Sequence, residues 1–252
     1  MTKQQNTDAP SHAVLSASGS ATWLYCSGSV EAQKQYPETR SLFADEGTCA
    51  HELAEICLNN NENPFDYEGK TLPESNWTVD KEMCRHVQDY IDFIKLHKGH
   101  HIYEHRVNYS DYAQDGFGTA DCIIIDNENV TIIDLKYGKG VRVDADTTQT
   151  KIYALGVLSD FGMISDIQRI KSIIFQPRLD HIDESEMDID ELHKFGEWVK
   201  ERAKLALSEN APRTAGEKQC KWCKHKARCP ELQKETERAI AAQFGEFDEL
   251  TP

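Results

Sequence analysis

Residues Gly116–Gly140 read GFGTADCIIIDNENVTIIDLKYGKG, and this stretch decides the fold. Two apolar, β-branched runs, Ile123–Ile125 and Val130–Ile133, flank the polar break Asp126-Asn127-Glu128-Asn129, the signature of a β-hairpin. A two-residue loop at Asn127-Glu128 and a four-residue loop from Asp126 to Asn129 give the same register. Either one pairs Ile125 with Val130 and sets Asp121 opposite Asp134. Opposed residues hold their Cβ atoms roughly 4.5–5.5 Å apart, close enough for two carboxylates to share one divalent cation. Alternation then places Lys136 on that face and turns Leu135 into the core. Two acids opposed across a strand pair repel each other without a counter-ion, so the arrangement points to chemistry rather than to stability.

The flanking segments supply layers for this hairpin. Upstream, Glu46–Leu58 and Asp80–Lys98 place apolar residues at helical spacing, and His101–Tyr109 alternates as a strand that carries Glu104. Downstream, Thr147 caps a helix running to about Leu158, on which Gln149 and Tyr153 stand four apart on one face. Ile170–Phe175 reads as a strand, Asp190–Leu207 as an amphipathic helix and Glu231–Gln243 as a further helix. Ser18 is placed to cap a short helix that ends near Cys26. The order predicts an α/β fold, a mixed central sheet flanked by helices. Residue type alone makes His51, at the edge of an apolar stripe, a structural histidine, and makes Glu104 equally a solvated strand residue.

At 252 residues the chain buries one sizeable core. The expected organisation is a loose segment 1–14, a domain over 15–232 whose last part is 211–232, and a C-terminal helix with an acidic tail over 233–252. The polar start MTKQQNTDAPSH and the lack of a long apolar run predict a cytoplasmic protein without a membrane partner. A formal charge of −15 argues against a protein that coats nucleic acid nonspecifically. Local basic stretches can still line a path for DNA: Lys139 and Arg142 in a glycine-bearing loop, and Lys221 and Lys224 around Trp222. Trp222 has two readings, a platform that stacks a base and a shield over a metal cluster.

Eight cysteines in a chain read as intracellular are ligands and small core residues rather than a disulfide framework. Cys220, Cys223 and Cys229 form C-x2-C-x5-C, and three thiolates so close in sequence call for a metal. His225 would complete a zinc site; Cys26 would complete a [4Fe–4S] cluster.

Gly118-Thr119-Ala120-Asp121, Asp134-Leu135-Lys136 and Gln149-x3-Tyr153, with His51 upstream, resemble the RecB-like branch of the PD-(D/E)XK nuclease superfamily. The run from Gly116 to Gly140 also resembles an uncharacterised phage and prophage family within it. One cysteine ahead of the histidine and three near the C-terminus are similar to the iron–sulfur members, the AddB-type subunit and the CRISPR-associated exonucleases. The resemblance implies a restriction-endonuclease-like core, with a cluster on Cys26, Cys220, Cys223 and Cys229 joining the N- and C-terminal segments. It implies Mg²⁺ or Mn²⁺ held by His51, Asp121, Asp134, the Leu135 carbonyl and Glu104, with Lys136, Gln149 and Tyr153 catalytic. The function implied is a DNA nuclease acting at ends in a bacterial host, in phage recombination or genome processing, alongside a recombination or single-strand-binding partner. The alternatives are a non-catalytic DNA-binding or scaffold subunit and a zinc-stabilised hydrolase of RNA.

Overall fold

The structure is a computed structural model describing residues 13–37 and 42–248. A five-stranded mixed sheet runs in the order β1-β2-β3-β4-β5, with β1 at His100–Asn108, β2 at Phe117–Asp126, β3 at Asn129–Leu135, β4 at Arg169–Gln176 and β5 at His181–Asp188. Its neighbours are antiparallel except β3 and β4, which are parallel. A parallel pair needs a crossover, and α5 (Thr148–Phe161) supplies it. The other helices are α1 (Ser20–Trp23), α2 (Ser29–Gln33), α3 (Leu42–Asn60), α4 (Lys81–Lys95), α6 (Ile189–Ala206), α7 (Glu217–Lys221) and α8 (Pro230–Asp248).

Helices cover both faces of the sheet. On one, Leu53 and Ala54 of α3 and Met83, Val87, Tyr90 and Ile94 of α4 pack on Cys122, Ile124, Ile133, Leu135 and Phe175. On the other, Trp23 of α1, Ile152 and Leu155 of α5 and Leu192 and Val199 of α6 pack on Val107, Ile123, Val130, Ile132 and Ile170. Truncating a wholly buried leucine such as Leu53 to alanine costs about 2–5 kcal/mol. Local caps agree with this packing. Asp80 accepts from Met83 N–H at 2.8 Å, Thr147 accepts from Thr150 N–H at 3.2 Å, and Asp188 with Glu191 forms a capping box that starts α6.

The mixed sheet flanked by helices is the fold that the pattern predicts. Several details differ. Asn127-Glu128 is a two-residue turn with Asn127 at φ 54, and Ile125 pairs with Val130 as expected. The β2–β3 ladder, however, ends at Cys122 with Ile133, one step short of Asp121 and Asp134. The side chain of Asp121 takes over there, its Oδ2 accepting the N–H of Leu135 at 2.7 Å. The strands therefore part where two acids were expected to face each other. β5 is an addition to the expected elements. Gly19, not Ser18, occupies the N-cap of α1, and its N–H donates to Ser16 Oγ at 3.2 Å. Helix α8 runs on to Asp248, through much of the expected acidic tail. Of the segment expected to be loose, residues 1–12 lie outside the described residues, while Ala13 is buried. The last four residues of the tail, 249–252, lie outside them too.

Candidate metal centre and cysteine cluster

Backbone distortion builds the site. On β2, Ala120 and Cys122 stand two apart and should share a face, yet Ala120 packs with the α5 side and Cys122 with the α3–α4 side. On β1, Ile102 and Val107 pack on the same side although they stand five apart. The alternation thus slips on both strands at one level, where Glu104 and Asp121 would pair but do not, between Tyr103–Cys122 and His105–Ala120. Glu104 has φ 46, a left-handed backbone that a non-glycine residue holds at about 1–3 kcal/mol. Such strain persists only where the surroundings impose it. Its result is that two strand carboxylates turn together toward α3.

There they meet His51. Its Nδ1 lies 3.3 Å from Asp121 Oδ1 and 3.9 Å from Glu104 Oε1. Among the described residues, His51, Glu104 and Asp121 form the one histidine, cysteine and carboxylate group whose ligand atoms all lie within 4.8 Å of one another. Polar contacts from Glu46 and Glu52, either side of His51, hold helix α3 to its neighbours. Glu46 pairs with Arg178 at 2.7 Å, and Arg178 lies over the Tyr137 ring. Buried Glu52 accepts the N–H of Glu74 at 3.2 Å.

Asp134 stands outside that group. It is buried and ion-paired with Lys136, whose Nζ lies 2.7 Å from Asp134 Oδ2. Gln149 on α5 bridges the rest. Its Oε1 accepts from Lys136 Nζ at 3.3 Å, and its Nε2 donates to Asp134 Oδ1 at 3.5 Å and to Tyr153 Oη at 3.2 Å. The expected register that sets Asp121 opposite Asp134 is not formed as a ladder pair. The close group pairs Asp121 with Glu104 and His51, and Asp134 belongs to the Lys136–Gln149–Tyr153 side.

Electrostatics reflect this crowding. Burial pushes Glu104 up to about 7, with Asp121 adding repulsion and His51 opposing. Burial disfavours a charged His51, but Asp121 and Glu104 outweigh it and hold the imidazole well above its usual value. Burial also opposes ionised Asp121, yet His51, Lys136 and the Leu135 N–H keep its carboxyl below the ordinary range. Asp134 is raised by burial and by Asp121. Lys136 loses solvation on burial and is nonetheless raised by Asp134 and Asp121. Acids in excess of fixed cations around a pocket of mixed nitrogen and oxygen donors suit a hard divalent ion.

The cysteine pattern closes at a second place. Cys26, at the end of α1, accepts the N–H of Thr214 on its Sγ at 3.3 Å. Burial raises the Cys223 thiol, the His225 N–H lowers it, and repulsion from Cys26, Cys220 and Cys229 raises it further, so Cys26 and the three C-terminal cysteines share one electrostatic neighbourhood. Cys49, Cys57, Cys84 and Cys122 are buried in the core, as expected for packing residues. His225 is not free to complete a zinc site. Its Nδ1 is 3.1 Å from Tyr36 Oη and 3.3 Å from Gln35 Nε2, and its Nε2 is 3.3 Å from Arg213 Nη1. Sequence reasoning had no signal for Gln35, Tyr36 and Arg213, which join segments far apart in the chain. Trp222 is 72 % exposed, which rules against the shield reading. Lys221 lies near its ring, and Lys224 is exposed.

Lys139 and Arg142 are exposed on the loop between β3 and α5. Buried Gln176 fixes that loop, donating to Gly138 O at 2.8 Å and Val141 O at 2.9 Å and accepting from Val143 N–H at 3.2 Å. Sequence reasoning read Gln176 only as the end of a strand.

The architecture and these groups define a mixed α/β protein with a candidate metal centre at a strand break and a four-cysteine junction between its ends. Residues 12–252 match the family described as a protein of unknown function, DUF2800, and the chain belongs to that family. A solved structure described as the crystal structure of SSO0001 is similar over 90% of this chain and 91% of that one, at 14% identity and a TM-score of 0.35. At that TM-score the likeness carries no argument. No helix among the described residues is long and apolar enough to cross a membrane.

Proposed function

We propose that the protein is a metal-dependent DNA nuclease of the PD-(D/E)XK type, with a structural [4Fe–4S] cluster. The observation that carries the reading is the convergence of His51, Glu104 and Asp121 beside the Asp134–Lys136–Gln149–Tyr153 cluster. The three close groups, with Asp134 Oδ2 and the Leu135 carbonyl, would hold Mg²⁺ or Mn²⁺. When bound, the ion supplies charge neutralisation at the phosphate and acidifies the attacking water. Lys136 keeps its proton, because two carboxylates face it, and so offers a cation to the anion that develops on the phosphate. Gln149 sets the direction of Lys136 and of the Tyr153 hydroxyl. Burial and Asp134 raise Tyr153, so it acts as a hydroxyl donor and not as a base.

The donor set of the cysteine junction is four sulfurs, which suits a [4Fe–4S] cluster. Visible absorption by anaerobically purified protein tests the cluster against a four-thiolate zinc site. Lys139, Arg142, Lys221, Lys224 and Trp222 are the proposed DNA contacts, all exposed. The excess of acidic residues predicts weak DNA binding at physiological salt without metal. The nuclease reading predicts Mn²⁺-dependent degradation of linear DNA, slower attack on closed circles, and no activity in Asp134→Ala. A folded Asp134→Ala that retains activity refutes it.

A further inference from the structure

A second cavity adjoins the proposed reaction centre. It encloses about 200 Å³, and Tyr153 and Phe117 line it together with Ser16, Ser18 and Thr119. Gly118 makes it possible. A Cβ there would stand 2.9 Å from Tyr153 Cε1, so glycine lets the tyrosine ring close against β2. The hydroxyl end of that same ring is held by Gln149, which also touches Asp134 and Lys136. One side chain is thus both a wall of the cavity and a member of the reaction centre.

Phe117 is shared with a larger cleft of about 730 Å³ on its other side, which Arg106 and Asn108 help to line. The Arg106 guanidinium lies over the Phe117 ring, 3.7 Å from its centroid. A cavity of 200 Å³ is below the roughly 300–1,000 Å³ of pockets for drug-sized ligands and admits one planar ring system, not a chain. Phe117 and Tyr153 give it aromatic lining, the kind of surface on which any base can stack. Ser16 Oγ accepts from Gly19 N–H, which leaves its own O–H to donate, and Ser18 and Thr119 add hydroxyls at an exposed rim. Hydroxyls both donate and accept, so they serve every base edge without choosing among them. The cation on Phe117 favours an anionic backbone passing into the larger cleft.

The geometry points to a nucleobase subsite at this cavity, taking the base beside the scissile phosphate of a single DNA strand without sequence preference. It rests on the nuclease reading. The base stacks at Phe117 and Tyr153, its phosphate reaches Lys136, and the strand leaves past Arg106.

Short single-stranded oligonucleotides carrying 2-aminopurine at the end or in the middle test the subsite by fluorescence in EDTA, where cleavage plays no part, at protein concentrations high enough to saturate the weak metal-free binding. Wild-type protein should quench the probe. Phe117→Leu, which keeps an apolar side chain at this position, should lose most of the quenching and bind about tenfold more weakly. Hydrolysis of bis(p-nitrophenyl) phosphate, a diester without a base, by the wild type tests the nuclease reading separately. Quenching in the wild type that Phe117→Leu retains overturns the subsite, as does a wild type that hydrolyses the diester yet never quenches the probe. A wild type that neither quenches nor hydrolyses overturns both readings.

Discussion

The two candidate metal sites are held by opposite means. His51, Glu104 and Asp121 sit on α3, β1 and β2, elements that the two hydrophobic clusters lock in place. The four cysteines sit on one-turn helices and turns, and neither cluster includes any residue beyond Ala206. The C-terminal segment meets the domain through polar contacts instead: Gly28 N–H to Pro212 O at 2.8 Å, Lys224 N–H to Gln33 Oε1 at 3.1 Å, and the buried His225 ring. The difference teaches that the carboxylate site is preorganised by the fold, at a cost in strain and repulsion, whereas a metal group on the cysteines, as proposed, would supply stability where the apolar core does not reach. Mutations should therefore separate into two classes.

The largest effect expected is on activity. Asp121→Asn should reduce Mn²⁺-dependent hydrolysis by about 10²–10³-fold or more while leaving the thermal transition within a few degrees, measured by steady-state assay and calorimetry. Cys220→Ser should do the reverse to stability. A link between Cys26 and Cys220 closes most of the chain into a loop, and losing such a link costs about 4–5 kcal/mol on the chain-entropy estimate. Denaturant titration should show that loss, and limited proteolysis should find the new cleavages beyond Ala206. Equal cutting before and after Ala206 would erase the contrast between the two regions.

A smaller effect comes from Glu104. Its folded value of about 7 lies above the ordinary glutamate value of 4.5, so folding favours its neutral form. Its stabilising contribution is complete below about pH 4.5 and is lost as the pH rises through 7. Glu104→Gln, in EDTA at pH 8, should therefore be more stable than the wild type, on the order of 2 kcal/mol. The gap should close at pH 4.5, and a less stable variant at pH 8 would mean that the carboxylate is not strained. Smallest is Tyr36→Phe, which removes the hydroxyl beside His225 and should cost about 0.5–1.5 kcal/mol by chemical denaturation.

The sequence and the structure agree most where local physics acts alone. The hairpin turn, the Thr147 cap and the helical stripes follow from residue type and spacing, and they place Asp121, Asp134, Lys136, Gln149 and Tyr153 in one neighbourhood. The strand break was not legible, because pairing rules continue a ladder until something stops it. Here the stop is a side chain, Asp121, that takes the Leu135 N–H. Glu104 was ambiguous for a related reason: glutamate carries no signal for a left-handed backbone. β5 escaped notice because HIDESEMD alternates half-buried and exposed positions with acids at half of them, as an edge strand protected by charge does. The approach of Cys26 to the C-terminal cysteines is a contact between chain ends, which spacing within either end does not encode.

Binding of Mn²⁺ followed by electron paramagnetic resonance, without DNA, tests the central claim most directly. The wild type and Cys220→Ser should bind the ion with similar affinity, and Asp121→Asn should bind it at least about tenfold more weakly, the loss of one strong ligand contact. Unchanged affinity in Asp121→Asn would contradict the account, because the ion would then sit somewhere other than the strand break.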